Sequence, residues 1–235
     1  MNYKYIGSEL ELFAAATNWK EYVAAILRPF VIGRVLEVGA GIGSNICYLH
    51  NSLVREWMCL EPDANLASQI KDRLEKGQLP GNCRVVTGTI ASVDAAAFFD
   101  TILYIDVLEH ISEDWAELVR AYRFLAARGN LVVMVPAHQF LFTAFDAAIG
   151  HHRRYNRAGL RALTPPGCQI VTCLMLDSAG FFASLAKKIL PSAPLPSKKQ
   201  IAVWDKFLVP ISRVFDRGLG YSFGKTIVAV WRPVG

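Results

Sequence analysis

The chain has 235 residues, 53% of them hydrophobic and 19% charged, and a formal net charge of +5. This length suits one domain with a sizeable buried core, and this composition excludes a disordered chain. No basic segment followed by an apolar run opens the chain, and the best apolar run, 170–186, is interrupted by Asp177 and Gly180, so neither a secretory signal nor a membrane span is expected and a cytoplasmic protein is.

In chain order, Leu10, Phe13, Ala14, Trp19 and Tyr22 recur at roughly helical spacing, which predicts a helical start over 8–27. Pro29 and Gly33 then punctuate the chain. From Val35 onward short apolar strands alternate with helices. The predicted strands are 34–38, 57–60, 84–87, 101–107 and 131–136; the predicted helices are 44–52, 64–76 and 113–127. For the last helix Ser112 is the expected N-cap, Glu113 and Asp114 suit the first turn, and Gly129 follows the end. Its residues Trp115, Leu118, Tyr122 and Leu125 make one apolar stripe for packing.

Past 137 the alternation weakens. A polar, aromatic segment runs to Asn156, then come a short helix, a strand at 169–176, a Pro/Lys-rich stretch at 191–199, an amphipathic helical segment at 201–214 and a closing strand at 226–231. The two late strands suggest an antiparallel pair at the sheet edge, with the insertion between them as a lid. Lys187, Lys188, Lys198 and Lys199 in that insertion would also suit contact with an anionic membrane surface, without insertion. Alternating strands and helices imply a mostly parallel, doubly wound sheet. Such sheets bind ligands outside the carboxyl ends of their strands, near the point where strand order reverses.

The loop after the first strand is Gly39-Ala40-Gly41-Ile42-Gly43-Ser44. Glycines there let the chain turn tightly and let a ligand approach bare backbone. Ser44 stands where a dinucleotide fingerprint has its third glycine, so the spacing is GxGxG. Glu61, at the end of the next strand, can accept hydrogen bonds from both hydroxyls of a ribose; its plainer reading is a cap for the helix starting near Asp63. The fourth strand runs into Asp106-Val107-Leu108-Glu109-His110-Ile111.

Taken together, VLEVGAGIG, LEPD and FDTILYIDVLEHI, followed by GNLVVMVP and GHHRRY, resemble the successive motifs of class I S-adenosylmethionine-dependent methyltransferases, in particular a bacterial group with a DVLEH segment after the fourth strand. The resemblance implies a Rossmann-like α/β fold: a doubly wound seven-stranded sheet, mostly parallel with an antiparallel edge strand, plus a helical cap. It also implies a single domain, with a cap over 1–33, a cofactor-binding core over 34–136, a substrate-side lid over 137–225 and a final strand over 226–235. The cofactor implied is S-adenosyl-L-methionine, leaving as S-adenosyl-L-homocysteine. Carried over by position, Glu37, Gly39, Gly41 and Gly43 face the amino-acid and ribose portions, Glu61 takes the ribose hydroxyls, and Pro62 packs near the adenine. Asp106 and Val107 line the methionine end. Relatives commonly have an aspartate after the third strand for the adenine amino group; here Thr89 stands there, and its hydroxyl or the Ile90 backbone is expected to serve instead.

On the acceptor side, His110 and His151 are the candidate catalytic residues, since an oxygen nucleophile usually needs a base and histidine is the commonest. His138 reads as structural. Arg153 and Arg154 would either shape a pocket for an acidic substrate or lock the loop through Asp146. Phe140, Leu141, Phe142, Phe145, Phe181, Phe182, Trp204 and Phe207 supply apolar bulk on the same side, mostly as core, and favour a hydrophobic acceptor where they line the site. The five cysteines show no CxxC spacing, and no carboxylates are spaced as a divalent-ion site, so no disulfide or metal is expected. The expected reaction is methyl transfer to a small molecule, at oxygen first, with nitrogen or carbon as alternatives. RNA methylation and NAD-dependent oxidoreduction rank below: the chain has neither an Asn/Asp-Pro-Pro-aromatic segment after the fourth strand nor a basic stripe for nucleic acid, and Ser44 breaks the dinucleotide fingerprint.

Overall fold

In the computed structural model, residues 5–7, 9–189 and 196–234 are described; the predicted helical start at Ser8, most of the Pro/Lys-rich stretch, and the side chains of Lys187 and Lys188 lie outside them. Strands β1 (Gly33–Val38), β2 (Val54–Glu61), β3 (Cys83–Thr87), β4 (Phe99–Ile105), β5 (Leu125–Pro136), β6 (Cys168–Leu176) and β7 (Thr226–Pro233) form one sheet, in the order β3-β2-β1-β4-β5-β7-β6. The first five strands are parallel, and β7 runs antiparallel to both β5 and β6, so the expected antiparallel pair closes this edge. Strand order reverses between β1 and β4, which places the glycine loop at the switch point.

Successive residues of a strand point to opposite faces, and both faces here are covered. Val35, Cys59, Leu103, Val132 and Val230 pack into one core, while Leu36, Leu60, Ile102, Val133 and Ala229 pack into the other. That is why these strands read as continuous apolar runs. The helices are α1 (Leu10–Ala14), α2 (Thr17–Leu27), α3 (Ile46–Leu49), α4 (Ala64–Glu75), α5 (Asp114–Tyr122), α6 (Ala144–Ala148), α7 (Arg157–Ala162), α8 (Ser178–Ile189), α9 (Lys198–Val203) and α10 (Val209–Gly218), the last two joined by a π-helical turn, Trp204–Leu208.

Several local expectations change. The helix expected over 44–52 is one turn, because His50 is extended and Asn51 turns the chain with side-chain bonds to Val31 O and Leu49 O. The helix expected to reach 127 stops at Tyr122: Leu125 pairs with Phe99 of β4 and opens β5. Gly129 is therefore no helix stop but a close-approach residue, since a Cβ there would stand 2.8 Å from Leu125 Cδ1 and 3.1 Å from the Asp100 carbonyl. Trp115, expected in the apolar stripe, is exposed, and Glu113, without a side-chain bond, takes the cap position assigned to Ser112. The strand expected to run to 107 ends at Ile105, because Asp106 adopts a left-handed φ of 54°.

The late insertion holds the N-terminal helices in place. Asp205 accepts from the Trp19 backbone N–H at 2.8 Å and from Asn18 N–H at 3.2 Å, capping α2, whose own N-cap residue Ala16 has no side chain to do so. Asp216 caps α8 through the Asp177 and Ser178 amides and accepts from Tyr22 OH at 2.7 Å. The 198–218 segment leaves Val203, Phe207, Ile211, Val214 and Phe215 exposed. Among the described residues no helix is long and apolar enough to cross a membrane.

Candidate cofactor and acceptor site

Gly39, Gly41 and Gly43 all take left-handed φ, at 67°, 58° and 70°. At Gly39 the requirement is double: φ disfavours a side chain, and a Cβ would stand 2.7 Å from Val107 Cγ2. The loop after β4 thus leans directly on the loop after β1, which brings Val107 and Asp106 beside the glycines.

Glu61 ends β2 and is buried. Its two oxygens accept from the Gly41 amide at 2.7 Å and the Asp63 amide at 2.9 Å. The helix cap belongs instead to Asp63, whose Oδ1 accepts from the Asn65 and Leu66 amides. Glu61 is therefore joined to the glycine loop, and burial raises its carboxyl to about 6 against those two amides, which oppose the shift. Pro62 beside it is half-buried. Glu37, near the end of β1, accepts from Asn45 Nδ2 at 2.9 Å and Trp57 Nε1 at 3.0 Å; burial raises it to about 7, and both donors pull the other way.

One residue was not found in the sequence reading. Lys20 lies on the buried stripe of α2 with Ala16, Val23, Ala24 and Leu27, and its Nζ donates to Ser44 Oγ at 3.0 Å and Asn45 Oδ1 at 2.6 Å. Burial lowers its pKa, while the charges of Asp106 and Glu37 act to raise it. Among the described residues no carboxylate lies within ion-pair distance of Nζ. A lysine in register with an otherwise apolar helical stripe was the available signal.

After β3, where the adenine contact was expected, Thr89 spends its hydroxyl on a capping box with Ser92 over the turn Ile90–Ser92, and the Ile90 side chain is buried. Tyr5 and Leu10 pack over the strand ends. The Tyr5 amide donates to Asp63 Oδ2, the Tyr5 ring meets His110 edge-on at 5.9 Å, and Leu10 lies 3.7 Å from where a Gly41 Cβ would stand.

On the acceptor side, Asp106, Glu109, His110 and His151 converge. Burial raises Asp106 to about 6, opposed by the charges of Lys20 and His151. His110 falls to about 4, first through burial and then through His151, whose ring centroid is 4.6 Å away. His151 Nδ1 lies 3.0 Å from Asp146 Oδ1. Arg154 grips the same carboxylate with both arms, at 2.8 and 3.0 Å, and Arg153 grips Asp114 Oδ2 at 2.8 Å and the Ser112 carbonyl at 2.7 Å. Burial pushes Asp146 upward, but the bonds from His151 and Arg154 prevail and hold it well below the usual range. Both arginine forks are occupied, as the loop-lock reading requires. His138 is structural too, with Nε2 3.0 Å from the Gly224 carbonyl.

Of the aromatics named in the sequence, Phe140, Phe181 and Phe182 gather with His138 and Phe223 at the carboxyl end of β5. Leu141 and Trp204 are core, and Phe207 faces outward on the late helix.

A doubly wound sheet with a left-handed glycine loop at its switch point, tied to an acid at the next strand end, has the layout in which such sheets bind nucleotide-type ligands. Residues 36–133 match the family model of the methyltransferase domain. Over 100 residues the chain is 28% identical to the ubiquinone biosynthesis O-methyltransferase of Rhodopseudomonas palustris (strain HaA2), a stretch that is 43% of this chain and 38% of that protein. The chain thus matches well under half of that relative's length. Among solved structures it is similar to the 4+2 cyclase SpnF, with 14% identity, a TM-score of 0.63, and coverage of 98% of this chain and 96% of that one. It is also similar to coclaurine N-methyltransferase bound to N-methylheliamine and SAH, with 14% identity, a TM-score of 0.60, and coverage of 98% and 75%. These likenesses show the fold, the Rossmann-like seven-stranded sheet of methyltransferases.

Proposed function

We propose that this chain transfers a methyl group from S-adenosyl-L-methionine to an oxygen of a small, hydrophobic acceptor. The observation that carries the reading is the link between Glu61 and the Gly41 amide at the switch point of the sheet. The match of 36–133 to a methyltransferase domain, and the relative named as an O-methyltransferase, support the donor and the acceptor atom.

The residues present fit that donor. Bare left-handed backbone at Gly39, Gly41 and Gly43 admits a ligand closely; Glu61 is an acceptor pair for ribose hydroxyls; Lys20 is a cation without a carboxylate partner, facing the loop where the amino-acid portion belongs. Glu37 sets the shape of that loop through Asn45, Pro62 stands beside the adenine position, and the Ile90 backbone takes over the adenine contact that Thr89, already committed to Ser92, does not supply. When bound, the donor supplies a sulfonium-activated methyl group.

The chain contributes position, polarity and water exclusion. Holding a nucleophile in line with the methyl–sulfur bond supplies much of the rate in such a displacement. Asp106 and Val107 wall the methionine end, Tyr5 and Leu10 lie over the strand ends beside it, and His110, unprotonated at neutral pH because burial holds it low, can accept a hydrogen bond from an acceptor hydroxyl beside His151. The cluster of His138, Phe140, Phe181, Phe182 and Phe223 offers ring faces to an apolar acceptor body, with Phe140 and Phe182 still exposed.

Titration calorimetry with S-adenosylmethionine, S-adenosylhomocysteine and NAD tests the reading: both adenosyl compounds bind and NAD does not. Binding of NAD but of neither adenosyl compound would overturn it.

A further inference from the structure

Glu109 is fully buried, and among the described residues neither of its carboxylate oxygens meets a hydrogen-bond donor outside its own residue. Buried polar atoms are nearly always satisfied, and an unsatisfied one costs about 1–3 kcal/mol or more when charged. Glu109 does not sit there by accident of a loose loop. Its backbone carbonyl accepts from the His152 amide at 2.8 Å, and Tyr155 OH reaches the neighbouring Leu108 carbonyl at 3.2 Å.

What the carboxylate faces is a pair of imidazoles. One ligand atom each from Glu109, His110 and His151 lie within 4.8 Å of one another, and Glu109 Oε1 is 3.8 Å from His151 Nε2. Each imidazole is already anchored by a hydrogen bond. His151 Nδ1 is held by Asp146, itself gripped by Arg154 and Thr143, and His110 bonds to the Gly150 backbone. A carboxylate or carbonyl holding the far nitrogen of a histidine is the outer-shell arrangement that orients metal ligands.

We propose that Glu109, His110 and His151 form a binding site for a divalent first-row transition metal ion, such as zinc, manganese or iron(II). Two imidazoles and one carboxylate, with positions left open, suit these ions better than magnesium or calcium, which prefer all-oxygen shells. Ligand bonds of about 2.0–2.2 Å require the three atoms to draw together by about 1 Å, a change within reach of side-chain torsions. A dication removes the cost of the orphaned carboxylate, whose two oxygens otherwise face only the imidazole pair. No carboxylates in the sequence are spaced as a divalent-ion site, because these ligands come from two separate segments, the turn after β4 and the loop after α6.

The role of the ion rests on the methyl-transfer reading; its binding does not. In that reading the open positions take the acceptor oxygen, whose O–H is acidified and gives its proton to water. The O–CH3 bond then forms as the donor's S–CH3 bond breaks, and the donor leaves as a neutral thioether. With the ion bound, His110 meets the acceptor oxygen through the metal, and the direct hydrogen bond it offers an acceptor hydroxyl belongs to the metal-free site.

The full chain, stripped with a chelator and titrated with cobalt(II), tests the site without any turnover. The expected result is about one equivalent bound, with a visible ligand-field band that zinc competes away. Glu109→Gln and His151→Gln should each lose the band or weaken binding by about tenfold or more, while far-ultraviolet circular dichroism and the melting profile show a folded chain. Should Glu109→Gln fail to fold, His110→Asn takes its place. No band in the parent chain, or a band unchanged in folded variants, overturns the proposal. Calorimetry with S-adenosylhomocysteine on the same stripped sample separates the two readings, since metal binding without adenosyl binding sinks only the methyl-transfer function, and the converse sinks only the metal site.

Discussion

Replacing Lys20 with methionine preserves the length of the side chain and removes its charge. In the structure Nζ has two neutral partners, Ser44 Oγ and Asn45 Oδ1, and sits half-buried at the edge of the glycine loop. A hydrogen bond to a charged group contributes about 1.5–3 kcal/mol. If Lys20 receives the donor's carboxylate, its loss should weaken binding of S-adenosylhomocysteine by about 10- to 150-fold, at about 1.4 kcal/mol per tenfold. 5′-Methylthioadenosine shares the nucleoside and sulfur but lacks the carboxylate, so its affinity should hardly change. Calorimetry on parent and variant with both compounds reads the difference. Equal losses for the two ligands, or none for either, would refute the assignment and leave Lys20 a brace for Ser44 and Asn45.

The raised carboxyls of Glu37, to about 7, and Glu61, to about 6, make stability depend on pH in a defined direction. An acid with a raised folded pKa binds more protons folded than unfolded, so its contribution is fully present below the unfolded pKa and is lost as pH rises through the folded one. The ligand-free melting temperature should therefore fall between pH 5 and 8, and Glu37→Gln should flatten the slope; a slope unchanged in a folded variant would contradict the cause. Gly39→Ala should destabilise the chain by about 2–5 kcal/mol, from a left-handed φ and from contact with Val107. Gly77→Ala, with a similar φ of 66° but nothing within 4 Å of its Cβ, should cost only about 1–2 kcal/mol; urea unfolding compares the two. Arg154→Met leaves the fully buried Asp146 without its bidentate partner and should cost about 3–5 kcal/mol at pH 7 by the same measurement.

The parts of the fold that were legible in the sequence are those whose cause is local. Both faces of β1, β2, β4 and β5 are buried, so each strand announces itself as an apolar run, and the glycine loop announces its own turn because only glycine tolerates that φ beside Val107. Glu61 was legible because it is placed by the end of a strand, and its bond to Gly41 follows from two adjacent strand ends. The end of β6 before Asp177 was legible for the same reason, whereas the helix Ser178–Ile189 that follows was not predicted.

Tertiary structure decided what depends on partners far along the chain. Residues 123–127 have helical patterning, yet Phe99 claims Leu125 for the sheet, and strand pairing outweighs a weak local preference. Lys20 reaches the glycine loop only because Asp205, 186 residues beyond Trp19, caps its helix and fixes it against the late insertion. Glu109 and His151 meet only once the loop after α6 folds back and the His152 amide bonds the Glu109 carbonyl. The meeting of Glu109 and His151 leaves no periodic trace, because one pair of side chains can be brought together by many different chains of intervening residues; the glycine loop is written in local geometry, and the histidine cluster is written in long-range packing.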